Sequence, residues 1–384
     1  MTSTSPIEQA RGFEVELRRR APEIEGERRL PRDLSDRFAA AGFYRMCVPN
    51  GLGGLECPPA ETMETIETLA RADGASAWCV FIGATSGSVL ALLPDATART
   101  IFAKPTTLLS GVFAPRGTAT AVAGGFRVDG QWAWGSGTQN ADWILAGCQV
   151  VRDGKPELLR NGTPRSRMMI VPTAQVEFLD TWYVSGLAGT GSTDFALHDV
   201  FVPESHAAGF GLDRPLARPL YAFPQFGLLA LGVGAVALGL ARAAIDELIE
   251  LAGSKTPSGS GRPLAARPAA QTEVALAEVT LRSARAYYYE AIAAAWEAAT
   301  TAGEITLTHR RDLRLATTHA TQASASAVDR MYTLAGGSSV YQRSPLQRIF
   351  RDVHVATQHM MVAASTLELT GRLLLGVETD TAML

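Results

Sequence analysis

Two histidines stand close together near the C-terminal end, in the stretch RDVHVATQHMMVAAS at residues 351–365. His354 and His359 are two of only six histidines in 384 residues. An unperturbed imidazole has a pKa of about 6.5, so it can take or give a proton near neutral pH. We interpret His359 as a candidate acid–base group and His354 as a hydrogen-bonded packing or interface residue.

The spacing of these two histidines does not predict a metal site. Residues 346–375 are predicted to form one helix, on which side chains five residues apart point about 140° apart. Helical metal ligands are usually four residues apart, as in zinc motifs. The four cysteines (Cys47, Cys57, Cys79 and Cys148) lack zinc spacing, and we expect them to be buried thiols in a reducing cytosol.

Other polar clusters favour ordinary structural roles. Asp194, His198 and Asp199 lie in the alternating run STDFALHDVFVP, where we expect solvated strand or interface positions. The TSGS stretch at residues 85–88 lacks the GxSxG pattern of a hydrolase. The GGSS stretch at residues 336–339 lacks the GxGxxG pattern and the βαβ unit of a dinucleotide site.

The composition is that of a globular chain with a large core. Hydrophobic residues make up 47% and charged residues 19%, and the net charge is −3. No basic tract indicates nucleic-acid binding. The most apolar run, Phe226–Leu240, is shorter than the roughly 18 residues that a membrane span requires. Because the N-terminus also lacks an apolar signal core, we expect a cytoplasmic protein without membrane contact.

The elements that must position the candidate residues change in character along the chain. Capping and proline signals, such as the Ser5-Pro6-x-Glu8 capping box, predict helices over residues 1–106. Period-2 runs spaced by glycine turns predict a central β domain, a barrel or sandwich, over residues 107–212. Four long helical stretches predict a bundle over residues 213–384. The predicted fold class is therefore α+β, in three domains.

Four motifs in this order resemble those of the acyl-CoA dehydrogenase superfamily, over nearly the whole chain. They are AGFYRMCVPNGLGGLE, GGFRVDGQWAWGSGTQNADW, GLAGTGSTDFALHDVFVP and AGGSSVYQRSPLQRIFRDV. The resemblance implies a helical N-terminal domain, a central β domain, a C-terminal four-helix bundle and a homotetramer. It also implies a flavin that lies between the β domain and the bundle, with a neighbouring subunit completing the site.

The resemblance carries a set of cofactor positions onto this sequence. Trp134 and Ser136 would lie beside the isoalloxazine ring, with the indole as a wall and the hydroxyl near the ring nitrogen N5. The FAPRGT segment would lie against the other edge, and the Gly-Gly pair would approach a neighbour's cofactor. Arg262 and Arg348 are either surface cations or contacts to flavin phosphate. The cofactor-binding set is Phe113, Ala114, Pro115, Thr118, Trp134, Ser136, Gly336 and Gly337.

One departure from the dehydrogenases selects a branch of the superfamily. Their catalytic glutamate would fall on Met360, whose thioether cannot accept a proton, and Phe223–Ala244 contains no acidic residue either. With His359 beside Met360, the stretch resembles the two-component flavin monooxygenases. Those enzymes take reduced FAD or FMN from a separate flavin reductase and form a C4a-hydroperoxide with O2. His359 and Ser136 are then the predicted catalytic residues.

The branch implies hydroxylation of an aromatic or heteroaromatic metabolite, such as a phenol, an indole or a polycyclic compound. We place Ser86, Trp182 and Met360 in the substrate pocket. Ser86 or Ser88 lies where some phenol hydroxylases carry another histidine, and Ala188 stands where relatives usually carry arginine. Three alternatives stay open: a dehydrogenase-like desaturase with an unrecognised base, an N- or S-oxygenating monooxygenase, and a scaffold without turnover.

Overall fold

The computed structural model describes residues 5–209, 213 and 215–384, and it confirms the predicted fold class. Helices come first, strands follow, and long helices close the chain. The helices are α1 Pro6–Glu27, α2 Arg32–Ala40, α3 Pro59–Ala70, α4 Gly74–Ser86, α5 Asp95–Ile101, α6 Gln225–Ser254, α7 Pro268–Ala302, α8 Leu307–Ala335, α9 Pro345–Thr357 and α10 Ala364–Leu374. The strands are β1 Leu109–Val122, β2 Gly125–Trp132, β3 Trp143–Arg152, β4 Lys155–Pro156, β5 Ser166–Pro172, β6 Glu177–Leu179, β7 Asp194–Pro203 and β8 Ala207–Ala208. The domain boundaries after residues 106 and 212 stay predictions.

The N-terminal helices begin where their capping residues predict. Ser5 and Glu8 form a reciprocal capping box at the start of α1. The carboxylate of Asp73 caps α4 by accepting a hydrogen bond from the backbone N–H of Ser76 at 2.8 Å. Every residue of α4 is buried. This helix is therefore a rigid internal support, and it carries one wall of the candidate site.

The eight strands form a single mixed sheet in the order β6-β7-β2-β1-β3-β5-β8, with β4 paired to β3. The pairing of β1 with β3 is parallel, and its register shifts between Val112 and Gly117. Residues 113–116 therefore form a bulge that leaves the ladder, a feature that re-aims backbone groups near functional sites. This bulge contains most of the FAPRGT segment.

Helix α6 is the centre of the bundle and packs closely on the N-terminal domain. The apolar helical stretches Gly74–Leu92 and Gln225–Ser254 are long and apolar enough to cross a membrane, but 94% of the most apolar 18-residue window of each is buried inside the protein. Glycines allow the close contact: a Cβ on Gly232 would overlap the ring of Phe81, and one on Gly239 would overlap the carbonyl oxygen of Glu67. The hydropathy of α6 thus reflects its place in the core.

The prediction of one helix over residues 346–375 is wrong. Helix α9 ends at Thr357, whose hydroxyl donates a 2.7 Å hydrogen bond to the carbonyl of His354. The backbone N–H of Gln358 then bonds Val355 instead of His354, which tightens the last turn. His359 is extended and caps a short 3-10 turn, Met360–Val362. The helical angle between His354 and His359 therefore does not apply.

We predict that Gly239→Ala destabilises the protein, because the new methyl group would press on the rigid backbone of α3. The expected loss is about 1–3 kcal/mol, measured as a shift in the denaturation midpoint. Gly253→Ala in the same helix is the matched control, since no described atom lies within 4 Å of its Cβ position. That substitution should be neutral or gain up to about 1 kcal/mol. Equal shifts for both variants would contradict the packing argument.

Candidate active site

Ser136 lies in a buried chain of hydroxyl groups rather than on an open surface. Its side chain is 6% exposed. The indole Nε1 of Trp78 donates to Ser136 Oγ at 3.1 Å, and Ser192 Oγ lies 2.6 Å away. Thr190 Oγ1 is 2.6 Å from Ser192 Oγ and 2.7 Å from the carbonyl oxygen of Leu187. The chain runs from Leu187 to Trp78 through three hydroxyl groups.

The directions of these hydrogen bonds follow from their two ends. The carbonyl of Leu187 can only accept, so Thr190 donates to it and accepts from Ser192. Ser192 then has no proton left and accepts from Ser136. The Ser136 proton is therefore used inside the chain. Its role as a hydroxyl near flavin N5 stays a prediction. In this arrangement the hydroxyl could accept one more hydrogen bond but could not donate one.

Trp134 has the geometry of an exposed aromatic wall. Its backbone φ is +68°, a left-handed conformation that is uncommon outside glycine. Its side chain is 70% exposed. The next residues are fixed, because the N–H groups of Gly135 and Gly137 bond the carbonyls of Thr193 and Thr190 at 3.0 and 2.9 Å. A turn in a sparsely populated conformation thus holds a bare indole face beside the buried hydroxyl chain.

The resemblance implies that the flavin lies between Trp134, the bulge of β1 and His359, and this expected cofactor space is termed the opening. Phe113 and Ala114 are half-buried, and their carbonyl groups lie against Gly147, where a Cβ would not fit. The ring of Phe113 is 6.3 Å from the ring of Phe226, at the start of α6. Pro115 is exposed, and Thr118 lies beyond the bulge in the paired part of the strand. These two residues therefore border the opening less closely.

His359 faces this opening from the bundle. Its ring contacts the Trp78 ring edge-on at 5.8 Å, and its Nδ1 accepts a 3.3 Å hydrogen bond from the backbone N–H of Met361. A backbone N–H can only donate, so the neutral imidazole carries its proton on Nε2. Burial, followed by the nearby charge of Arg314, lowers the pKa of His359 to about 4. His359 is thus a neutral Nε2–H donor at physiological pH.

Arg314, on α8, is a functional candidate that the sequence interpretation missed. Its side chain is 3% exposed, and burial lowers its pKa to about 10. Its Nη2 donates to the carbonyl of Met383 at 2.7 Å and approaches that of Phe226 at 3.5 Å. The sequence signal that could have identified Arg314 is its place on a helix face of small residues. Thr317, Thr318 and Thr321 lie on the same face of α8 and are also buried.

The remaining polar residues keep the structural roles predicted for them. His354 Nε2 is 2.7 Å from Asp329, and its ring packs on Phe350. His198 pairs with Glu177 at the surface. Asp194 and Asp199 are likewise strand positions with polar neighbours. These contacts agree with packing and solvated positions.

The predicted substrate-pocket residues occupy different surroundings. Ser86 lies two turns along α4 from Trp78 and is fully buried, and no described atom bonds its hydroxyl. Met360 is 59% exposed beside His359. Trp182 is half-buried, and its indole donates back to the carbonyl of Ala188 at 3.0 Å. The three residues therefore share no described contact, and their common place in a substrate pocket stays a prediction.

The Gly-Gly pair lies away from the other predicted cofactor residues. Gly336 and Gly337 line an open cavity of about 1160 Å³ together with Arg267, Arg330 and Tyr341. A Cβ on Gly337 would meet no described atom within 4 Å, so the pair is open to a ligand. Arg314 and Gly336 are roughly 30 Å apart along α8. Within one chain, this cavity and the Trp134 opening are therefore separate.

The segment of residues 185–193 fixes the β domain to the bundle. Asp352, at 4% exposure, accepts a 2.5 Å hydrogen bond from the backbone N–H of Leu187. Arg351 donates to the carbonyl of Ser185 at 2.6 Å. Burial raises the pKa of Asp352 to about 7. Arg348 is half-buried and lines a cavity of about 60 Å³ beside Asp352, while Arg262 lies in an exposed loop.

These surroundings fit a flat aromatic cofactor. The exposed face of Trp134 supplies a stacking surface, the bulge of residues 113–116 supplies backbone groups outside the sheet ladder, and the buried Ser86 hydroxyl lacks a described partner. Reduced flavin needs an apolar wall and polar groups at its edges, which these residues provide. Residues that would hold the flavin are thus present on two sides of the opening.

Comparison with known proteins places these features among relatives. The acyl-CoA dehydrogenase N-terminal domain matches residues 7–98, and the acyl-CoA dehydrogenase C-terminal domain matches residues 231–364. Indole-3-acetate monooxygenase of Pseudomonas putida is 36% identical over 94% of this chain and 91% of its own length. Two solved structures have the same fold. The crystal structure of the HsaA monooxygenase from M. tuberculosis superposes with a TM-score of 0.91 and 26% identity, covering 100% of both chains. XiaF from Streptomyces sp., in complex with FADH2 and glycerol, has a TM-score of 0.90 and 25% identity, covering 98% of this chain and 96% of its own.

We predict that His359 stays neutral, protonated on Nε2, from about pH 5 upward, because its folded pKa is about 4. Histidine-specific nitrogen NMR measures both properties, and His359→Asn assigns the signal. The unfolded chain takes up this proton below about pH 6.5. The contribution of His359 to stability is therefore present above that pH and is lost as the pH falls towards 4.

The same experiment tests the role of Arg314. Arg314→Gln removes one of the two causes of the lowered pKa, so the pKa of His359 should rise. Arg310→Gln, one helical turn earlier, is the control and should leave it unchanged. A proton on Nδ1, or a normal pKa in the unmodified protein, would contradict the geometry.

Proposed function

The chain belongs to the acyl-CoA dehydrogenase superfamily, in its branch of flavin-dependent monooxygenases acting on aromatic compounds, and we propose that it hydroxylates an indole or a closely related ring. The indole assignment is supported by the relative at 36% identity, which is named for indole-3-acetate. It also suits the aromatic side chains of this region, where Phe113 contacts Phe226, Trp78 contacts His359 and Trp134 is exposed. Flat aromatic walls favour a fused ring through stacking and edge contacts.

The observation that carries this proposal is the neutral imidazole of His359 beside Met360. A dehydrogenase must remove a proton from carbon, which requires a base such as a carboxylate. Among the described residues, no acidic side chain bonds His359, which instead neighbours an indole ring, a backbone N–H and a guanidinium charge. A donor in this place suits the transfer of oxygen better than the removal of hydrogen.

The residues have separable tasks in this reaction. Bound reduced flavin supplies two electrons and the activation of O2. His359 keeps its proton at Nε2 and can donate a hydrogen bond from it to an oxygen atom of the bound reactants. Trp78 packs on the imidazole and fixes its plane. Burial, followed by the charge of Arg314, lowers the pKa of His359 and keeps the imidazole neutral, so Nε2 gives a hydrogen bond without a positive charge.

The proposal includes partners and a setting. We propose that FAD or FMN arrives reduced from a separate flavin reductase, and O2 is the co-substrate. A homotetramer would let Gly336 and Gly337 of one subunit reach the cofactor of another, which their roughly 30 Å separation from Arg314 along α8 supports. The four cysteines are free and buried, which supports a cytoplasmic, reducing location.

The alternative functions are less well supported by the site. A desaturase needs a base: Met360 provides none, and the basic lone pair of His359, on Nδ1, already accepts the backbone N–H of Met361. N- or S-oxygenation requires the same oxygen activation and differs in the substrate atom alone. A scaffold without turnover would not need the strained Trp134 turn or the neutral His359.

We predict that the protein, mixed with reduced FAD or FMN, isotopically labelled O2 and indole-3-acetate, yields a product that contains one labelled oxygen atom. Mass spectrometry of the product measures this. A free-flavin reaction without the protein is the control. The monooxygenase proposal fails if the flavin is reoxidised to hydrogen peroxide without labelled product. Reduction of protein-bound oxidised flavin by an acyl-CoA would instead favour the desaturase.

We predict that His359→Ala lowers product formation per reduced flavin by about 10²–10³-fold, the usual range for the loss of one positioned hydrogen-bond donor. Hydrogen peroxide should rise in compensation, since electrons still reach O2. His354→Ala is the matched control on the same segment, and it should retain most of the yield. Product and peroxide are quantified together in a single turnover. An unchanged product yield in His359→Ala would return His359 to a packing role.

A further inference from the structure

The guanidinium of Arg314 is a buried cation that forms no ion pair with a described residue. Other largely buried arginines are neutralised: Arg167 pairs with Glu204 and Asp213, and Arg20 pairs with Asp33 and Glu23. A buried charge without an opposite charge is costly, so natural proteins usually pair it. The two backbone carbonyls that Arg314 contacts supply partial negative charge alone.

The guanidinium also has donors to spare. Arginine carries five N–H bonds, and the described hydrogen bonds of Arg314 use Nη2. Its Nε is buried, and no described atom accepts from it. The group therefore combines full burial, a positive charge and unused donors in a fixed orientation. That combination is suited to a planar anion such as a carboxylate.

Arg314 lies on the border of the proposed substrate site. It approaches the carbonyl of Phe226, whose ring contacts Phe113 of the bulge. On its other side, its charge is close enough to His359 to lower the pKa of that imidazole. His359 in turn contacts Trp78, whose indole reaches Ser136. Contacts thus run in sequence from the bulge, past Arg314, to the hydroxyl chain of the β domain.

We propose that Arg314 is a specificity-determining residue that binds a carboxylate on the side chain of the aromatic substrate. This inference rests on the proposed function. The anion would neutralise the buried guanidinium, and the ring to which it is attached would be directed towards His359. The preferred substrate is therefore an aromatic ring that carries a short acidic side chain rather than the bare ring.

A matched pair of ligands tests this proposal by calorimetry on the protein with and without reduced flavin, under nitrogen. Indole-3-acetate carries the carboxylate, and 3-methylindole has the same ring without it. The unmodified protein should bind indole-3-acetate at least about 10-fold more tightly. Equal affinities for the two ligands would overturn the proposal without any variant.

Variants at two neighbouring arginines separate recognition from folding. Arg314→Gln should raise the Kd of indole-3-acetate about 10- to 100-fold and change that of 3-methylindole less than about threefold. Arg314→Lys keeps the charge but loses the planar fork. Its Kd for indole-3-acetate should therefore lie between those of the unmodified protein and Arg314→Gln. Arg310→Gln is the control, because Arg310 likewise bonds the C-terminal segment, at Thr381 and Leu384. It should change both Kd values less than about twofold.

The outcomes distinguish this proposal from the proposed function. If Arg314→Gln lost affinity for both ligands equally and had a lower midpoint of thermal unfolding, Arg314 would be a purely structural residue. That result would overturn the proposal. Oxygenation of 3-methylindole as efficiently as indole-3-acetate would also overturn it, while leaving the monooxygenase intact. Failure of the unmodified protein to bind or oxygenate either indole would overturn the indole assignment and the proposal together.

Discussion

The hydrogen bond from the backbone of Leu187 to the carboxylate of Asp352 holds the site together. It joins the β domain to the bundle at 2.5 Å, in a place where burial raises the pKa of Asp352 to about 7. The carbonyl of the same Leu187 starts the hydroxyl chain through Thr190 and Ser192 to Ser136. The hydroxyl chain that accepts the Trp78 indole N–H thus begins at the same residue whose backbone N–H is bound by the bundle.

The electrostatics of the opening follow from burial rather than from ion pairs. Burial lowers the pKa values of both His359 and Arg314, and the charge of Arg314 lowers the His359 value further. The two groups therefore cannot easily both be charged, and the guanidinium, with the higher pKa, keeps its proton. The two neighbours therefore have different tasks. Arg314 supplies a positive charge, and His359 supplies an uncharged N–H donor.

The sequence predicted the order of elements well, because strand and helix periodicities differ and α1 and α4 have clear capping signals. It failed at the end of α9, where neither glycine nor proline marks the break and a threonine hydroxyl competes for a backbone carbonyl. The motif at Ser136 predicted a hydroxyl near flavin N5, but the direction of its proton depends on a partner about 55 residues away. Arg314 was missed because burial of an arginine is a tertiary property, and arginine is the usual cation of this chain.

The distribution of sulfur has a consequence for the durability of the protein. All four thiols are buried, and burial raises their pKa values, so they stay in the form that oxidants attack slowly. Met360 is the opposite case, a thioether exposed beside His359. Any peroxide that escapes an unproductive cycle meets this thioether before it meets a cysteine. Conversion of Met360 to its sulfoxide would place a polar group beside His359. Oxidative damage during turnover is therefore expected to begin at the site and not in the core.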